Sequence, residues 1–254
     1  MATEIAGSGG YTLLSVVIPV FNERNTVGEV IRRARTVSLA LPVEIVVVDD
    51  GSTDGTDKIL AALADSTVHV LTHGSNRGKG ACIRTALERA RGDLVLIQDA
   101  DLEYDPADWP RLLDPVLRGR ARVVYGSRFI GERQTMALSS YLGNRLLSLV
   151  ADVLFNTNLS DVETGFKLFD RRILDAVEIR SDGFGFEPEI TAKVLRLGHP
   201  IHEVPVAFAG RAAEEGRKFR GSDIVRAVGT LLRHRFHADA GFFGIRGPTR
   251  AKNR

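Results

Sequence analysis

Asp99-Ala100-Asp101 closes the apolar run Leu94-Val95-Leu96-Ile97. A strand that stops in two acidic residues puts carboxylates at the carboxyl edge of a sheet, where α/β proteins bind ligands. Alternate residues of an extended chain point the same way, so Asp99 and Asp101 can face one site. Hard oxygen ligands close together suit Mg²⁺ or Mn²⁺. Such an ion can hold a diphosphate and take up negative charge as it leaves. A solvated acidic turn fits the same three residues, so the neighbouring loops have to decide.

Those loops exclude two familiar ways of binding a nucleotide. A dinucleotide fingerprint needs G-x-G-x-x-G after the first strand. That strand instead ends Pro19-Val20-Phe21-Asn22-Glu23, with no glycine until Gly28. A P-loop needs four residues between its glycines and then Gly-Lys-Ser/Thr. Gly74-Ser75-Asn76-Arg77-Gly78-Lys79-Gly80 has three between, and a glycine where the hydroxyl belongs. Glu23 and Asp50 follow adjacent strands and can accept hydrogen bonds from a base or ribose. Arg77 and Lys79 lie close to a helix start, a suitable neighbourhood for a diphosphate. His199 and His202 fall on opposite faces of a predicted strand and make a poor metal pair. Trp109 reads as packing, whereas Phe184-Gly185-Phe186 could wall an acceptor site or pack.

The elements that must position these loops alternate. Strands are predicted at 14–20, 43–49, 68–72, 94–98 and 122–125, with helices at 26–39, 78–91 and 106–117 and a further one ending near 64. Thr26 and Glu29 stand at capping-box spacing. Strands alternating with helices argue for an α/β, mostly parallel, doubly wound sheet. After Gly126 the rhythm changes to a long amphipathic helix (138–155), a polar loop (157–164), a short strand (166–169), a helix (187–197), a strand (201–208) and a basic helix (222–234). That second half predicts a smaller mixed subregion on the acceptor side.

The 254 residues, 44% hydrophobic and 26% charged, suit one domain with a substantial core. We expect a leader over residues 1–12, one domain over 13–236 and a basic tail over 237–254. The single Cys82 cannot form an intrachain disulfide and reads as core in a reducing compartment. No signal peptide is expected, because Glu4 and Gly-Ser-Gly-Gly stand where its apolar stretch should be. No membrane span is expected either, since Leu146 to Phe155 falls short of the roughly twenty apolar residues one needs. From Arg211 onward eleven Lys/Arg face four Asp/Glu, a local +7 within a total of +2. A basic C-terminus on an acidic body suggests a phosphate-bearing or membrane-surface partner, or a solvated tail. The expectation is a cytoplasmic protein with no nucleic-acid partner, peripheral contact with the cytoplasmic membrane face through the basic C-terminus being one of the two options for that tail.

Taken in order, Pro19-Val20-Phe21-Asn22-Glu23, Val48-Asp49-Asp50-Gly51-Ser52-Thr53-Asp54, Asn76-Arg77-Gly78-Lys79-Gly80 and Asp99-Ala100-Asp101 resemble the successive motifs of inverting family-2 glycosyltransferases with the GT-A fold. Gln98 to Tyr104, Gly126-Ser127-Arg128-Phe129 and Asp161 to Lys167 are similar to the dolichyl/polyprenyl-phosphate sugar synthase branch. Phe184 to Ile190 resembles a bacterial subgroup of it without membrane helices. The resemblance implies that Pro19, Val20, Phe21, Glu23, Asp50, Lys79, Asp99 and Ala100 line the nucleotide pocket. It implies that Asp99, Asp101 and Glu103 hold Mg²⁺ or Mn²⁺, with Glu103 where relatives often carry Gln. Arg128 would meet the acceptor phosphate or the sugar, Ser140 the acceptor, and Arg211 and Lys218 would close over the diphosphate. One position departs from the branch's Arg-x-x-x-Ser-x-x-x-Asn pattern. Ser140 and Asn144 are present but Met136 stands first, so Arg133 would have to supply a second acceptor cation.

The implied reaction is metal-dependent transfer of a hexose from a GDP- or UDP-linked donor to a polyprenyl phosphate. An acceptor phosphate is already ionised and needs no strong base. A soluble hydroxyl acceptor would need one, with Asp161 the candidate and Glu163 its rival. A nucleotide-sugar-binding subunit dependent on a membrane partner is a third reading, and a nucleotidyltransferase a distant fourth.

Overall fold

The Val/Ile/Leu runs of the first half form strands covered on both faces, as parallel strands usually are. The computed structural model describes residues 10–130, 138–210 and 221–236. In chain order the strands are β1 (Leu14–Val20), β2 (Val43–Asp49), β3 (Val68–Thr72), β4 (Leu94–Ile97), β5 (Val123–Ser127), β6 (Lys167–Asp170) and β7 (His202–Pro205). They form one sheet in the order β3-β2-β1-β4-β6-β5-β7. β1 pairs in parallel with β2 and β4, and β2 with β3. β6 runs against β4 and β5, while β7 is parallel to β5. The sheet is therefore mostly parallel with a mixed second half, as the sequence predicts.

The helices are α1 (Val27–Thr36), α2 (Thr56–Leu63), α3 (Lys79–Arg89), α4 (Trp109–Leu117), α5 (Leu138–Phe155), α6 (Arg171–Asp175), α7 (Phe186–Arg196) and α8 (Gly221–Phe236). Strand alternation divides the core between the two faces of the sheet. Val16, Ile18, Val47 and Leu96 face one side with Trp109. Val17, Val46, Val48 and Ile97 face the other with Ile83, Phe186 and Ile190. A third cluster, with Leu147, Ala151, Ala192, Ala227 and Leu231, ties α5, α7 and α8 together.

Several local expectations change. The capping box does not form, because Thr26 donates to the Glu23 carboxylate at 2.6 Å and Glu29 pairs with Arg32 and Arg33. The predicted strand over 201–208 pairs only through Pro205; beyond it Phe208 makes a single bridge to Tyr104. The five-residue α6 is missing from the sequence reading; Asp170 caps it by accepting from the Arg172 N–H at 3.0 Å. The leader (except Gly10 to Thr12) and the tail lie outside the described residues, as do Arg133, Met136, Arg211 and Lys218.

The chain moves outward from β1 to β2 to β3 and then returns to β4 on the other flank of β1. That reversal makes a crevice beyond the carboxyl ends of β1 and β4, where open α/β sheets take ligands.

Candidate active site

The loop after β1 is laced to the loop after β2. Asn22 receives φ 56°, a left-handed conformation uncommon outside glycine, so its backbone is held by its surroundings. Its N–H donates to Ser52 Oγ at 2.9 Å, and its Oδ1 accepts from the Thr53 N–H at 2.8 Å. The Glu23 N–H donates to Thr56 Oγ1 at 3.0 Å. Val20 is thereby buried at the floor, Pro19 and Glu23 are half-buried, and Phe21 is exposed at the rim.

Asp50 is buried and its two oxygens serve the β3–α3 loop. It accepts from the Arg77 N–H at 2.9 Å and the Gly78 N–H at 2.7 Å, and pairs with His73 Nδ1 at 2.6 Å. These bonds hold its carboxyl below its ordinary value despite burial. Asp50 thus fixes where α3 starts, and with it Lys79. The start also needs glycine, because a Cβ at Gly78 or Gly80 would overlap the backbone of Asp182 or Ser181. Glu189 holds that facing segment by accepting from the Arg180 N–H at 2.9 Å and the Ser181 N–H at 2.6 Å.

Lys79 consequently reaches across the crevice. Its ammonium lies 2.7 Å from Asp99 Oδ1 and 2.8 Å from Glu187 Oε1. Burial opposes its charge, but the two carboxylates outweigh it and raise its pKa. Glu187 opens α7 with its Oε2 buried and unpartnered among the described residues. The sequence reading used Glu187 only as part of a subgroup pattern.

Beyond β4 the chain leaves the extended state at once. The strand ends at Ile97 and Leu102 has φ 61°, so a tight turn rather than strand alternation positions Asp99, Ala100, Asp101 and Glu103. Gln98 staples that turn, donating to the Asp99 carbonyl at 2.9 Å and accepting from Trp109 Nε1 at 2.9 Å. Trp109 is fully buried packing. Asp101 accepts from the Glu103 N–H at 3.1 Å, Ala100 is buried, and the three acids are half-buried. The Tyr104 hydroxyl accepts from the Gly165 N–H at 2.9 Å, joining the turn to the second half. A Cβ at Gly165 would overlap the Asp99 carboxylate. Gly165→Ala is therefore expected to displace Asp99 and lower Mn²⁺ affinity at least about tenfold, by analogy with disturbed ligand positioning. Isothermal titration checks this, and unchanged affinity would remove Asp99 from the ion's surroundings.

The second half brings one tight pair. Arg128 donates to both oxygens of Asp161, from Nε at 2.7 Å and from Nη2 at 2.6 Å. The guanidinium also lies 5.2 Å from the Phe208 ring centre. Asp161 is fully buried, and its own N–H donates to Glu203 at 3.0 Å. With both oxygens taken by Arg128, it holds Arg128 in place in this conformation. Its rival Glu163 has Oε1 buried without a partner among the described residues. Burial, and then Glu187, push the Glu163 carboxyl up. Lys167 lies buried nearby, donating to the Val162 and Thr164 carbonyls, with its own pKa pushed down by burial. Ser140 is half-buried in the first turn of α5, and Asn144 Oδ1 is buried without a partner among the described residues. Phe184 is exposed, whereas Phe186 is core.

The carboxylate set of Asp99, Asp101 and Glu103 has the hard-oxygen chemistry that Mg²⁺ or Mn²⁺ takes. A second cluster, Asp50, His73 and Cys82, does not fit a metal. His73 Nδ1 is hydrogen-bonded to Asp50, Nε2 lies 3.0 Å from Thr85 Oγ1, and metal ligands must present free lone pairs. Burial, then Asp50, push the Cys82 thiol up to about 12. Thiolate is the reactive form. Cys82 is thus expected to react with a disulfide reagent at least about 100-fold more slowly in the native protein than in urea; a native rate matching the denatured one would contradict its burial.

Comparison with known proteins bears on this crevice. The Glycosyl transferase family 2 profile matches residues 15–177. The chain belongs to glycosyl transferase family 2. It is a glycosyltransferase with the GT-A fold, and no described helix is long and apolar enough to cross a membrane. It is 33% identical over 229 residues to the undecaprenyl-phosphate mannosyltransferase of Micrococcus luteus, covering 85% of this chain and 91% of that one. It is 30% identical to glycosyltransferase AglJ of Haloferax volcanii, over 77% of this chain but only 63% of that protein's length. Among solved structures it resembles glucosyl-3-phosphoglycerate synthase from Mycobacterium tuberculosis in complex with Mn²⁺, UDP and phosphoglyceric acid. That likeness has a TM-score of 0.71 at 25% identity, over 93% of this chain and 82% of the other.

Proposed function

We propose that this family-2 glycosyltransferase moves a hexose from a GDP- or UDP-linked donor to a polyprenyl phosphate with inversion at the anomeric carbon. The observation that carries the reading is the span of likeness to the undecaprenyl-phosphate mannosyltransferase, 91% of that protein's length. Pro19, Val20, Phe21 and Glu23 line the base and ribose pocket, shaped from beneath by Asp50. Asp101 and Glu103, with Asp99 beside them, hold Mg²⁺ or Mn²⁺. The bound ion supplies charge neutralisation for the departing diphosphate. Lys79 adds a cation at the same place, and Arg211 and Lys218 close over the diphosphate. Arg128, preorganised by Asp161, receives the acceptor phosphate beside Ser140. An acceptor phosphate oxygen then forms the new bond to the anomeric carbon as the bond to the diphosphate oxygen breaks. No proton has to move, which suits a site whose buried Asp161 is already committed to Arg128.

A second reading, transfer to a soluble acceptor, draws on the phosphoglycerate bound in the solved relative. The test is product formation from a panel of UDP- and GDP-sugars with Mg²⁺ or Mn²⁺, with polyprenyl phosphate or phosphoglycerate. Transfer to the lipid phosphate from one donor is the expected result. Transfer to phosphoglycerate alone would replace the first reading by the second.

A further inference from the structure

α5 is apolar on two opposite faces. Its inner face, with Leu147 and Ala151, is buried against α7 and α8. Its outer face carries Leu138, Leu142, Leu146, Leu149 and Val153, from 49% to 76% exposed. At 100° per residue these five fall within an arc of about 80°, a continuous stripe about 22 Å long. A helix that is hydrophobic all round belongs inside a protein or against lipid. The only acid of α5, Asp152, turns away to accept from the Leu159 N–H at 2.7 Å.

Helix α8 lies alongside and repeats the pattern with charge added. Val225, Leu232 and Phe236 are exposed within an arc of about 40°. Arg226 and Arg233 stand exposed on one side of that stripe and Arg235 on the other. Among the described residues, no acidic side chain is exposed on either helix. An apolar band edged by arginines fits a lipid surface whose headgroups are anionic: the band enters the acyl boundary and the guanidinium groups meet phosphates. A second copy on the same face would set arginine edges near one another with no exposed acid on these helices to neutralise them.

We propose that the paired outer faces of α5 and α8 form a docking surface for an anionic bilayer. It deepens the polyprenyl-phosphate reading, since α5 begins beside the proposed acceptor residues and a docked α5 would bring them to the membrane surface. The leucine stripe supplies the depth of contact, and the arginine edges supply selectivity for anionic lipid.

The experiment is flotation of the full chain with vesicles of phosphatidylcholine alone or with 30% phosphatidylglycerol. Binding to the anionic vesicles that weakens with salt is expected. Leu142→Asp with Leu149→Asp is expected to lower binding at least about tenfold, although the C-terminal basic residues remain. Arg226→Gln with Arg233→Gln is expected to cost on the order of tenfold, on anionic vesicles only. Leu146→Gln with Val153→Gln provides a milder variant should the aspartates impair folding. Undiminished binding in the folded leucine variants overturns the proposal, as does a dimer in solution that those substitutions convert to monomer. Transfer to a short, water-soluble prenyl phosphate should stay within about twofold in the leucine variants. Absence of that transfer in the unaltered protein would fail the functional reading while leaving the vesicle result intact.

Discussion

Asp101→Ala is expected to lower turnover by on the order of 10²- to 10³-fold, the scale of losing a preorganised electrostatic contact to a leaving group. The carboxylate sits in a turn stapled by Gln98 and accepts from the Glu103 N–H at 3.1 Å. That amide is half-exposed and can be taken over by water, so the fold should tolerate the change and the melting temperature should move by no more than about 2 °C. Product formation at increasing Mn²⁺ is the measurement. Partial recovery at high metal is consistent with a lost ligand, and wild-type turnover would remove Asp101 from the reaction.

The largest stability effect belongs to the Arg128–Asp161 pair. Asp161→Asn leaves a guanidinium with little exposure facing a neutral amide, and breaking a buried ion pair on one side costs about 3–5 kcal/mol. For a chain of this size that corresponds to a fall of roughly 6–20 °C in melting temperature. Replacing both partners, with Arg128→Met and Asp161→Leu, should cost less than the sum of the singles. The double variant should nevertheless lose acceptor binding, because Arg128 is the proposed phosphate contact. Thermal melts and acceptor KM measure the two effects separately. Unchanged stability in Asp161→Asn with a collapse of turnover would instead mark Asp161 as the proton acceptor for a hydroxyl substrate.

The donor half of the site was legible because its chemistry is local. Three of the motifs are a strand end plus the next few residues, after β1, β2 and β4, and the fourth is the glycine-flanked start of α3. What joins the motifs was not legible. Lys79 was read as a cation for a diphosphate, but nothing in its neighbours in sequence shows that Glu187, more than a hundred positions away, shares its ammonium with Asp99. That contact depends on Gly78 and Gly80 letting α3 meet the segment around Ser181 at backbone distance. The signal available was the pair of acids, Glu187 and Glu189, at the start of α7 in an otherwise apolar stretch, Phe184 to Ile190. Asp161 was identified as an acid in the right loop, whereas its pairing with Arg128 is a tertiary fact. The amphipathic reading of α5 caught its inner face and missed that the outer one is equally apolar, because periodicity cannot say which of two stripes is covered.

The single reversed strand has a consequence for how such an enzyme can diversify. Because β6 runs against its neighbours, the segment from Arg128 to Phe166 leaves the sheet and rejoins it at the same edge. It is a closed excursion, anchored at both ends within the paired register of β5 and β6, and none of its described residues pairs with β1, β2 or β3. Ahead of Gly165, which abuts Asp99, insertions, deletions or exchanges within it would alter the proposed acceptor side while the nucleotide half keeps its geometry. On the proposed reading, acceptor choice is a replaceable cassette on a fixed donor chassis.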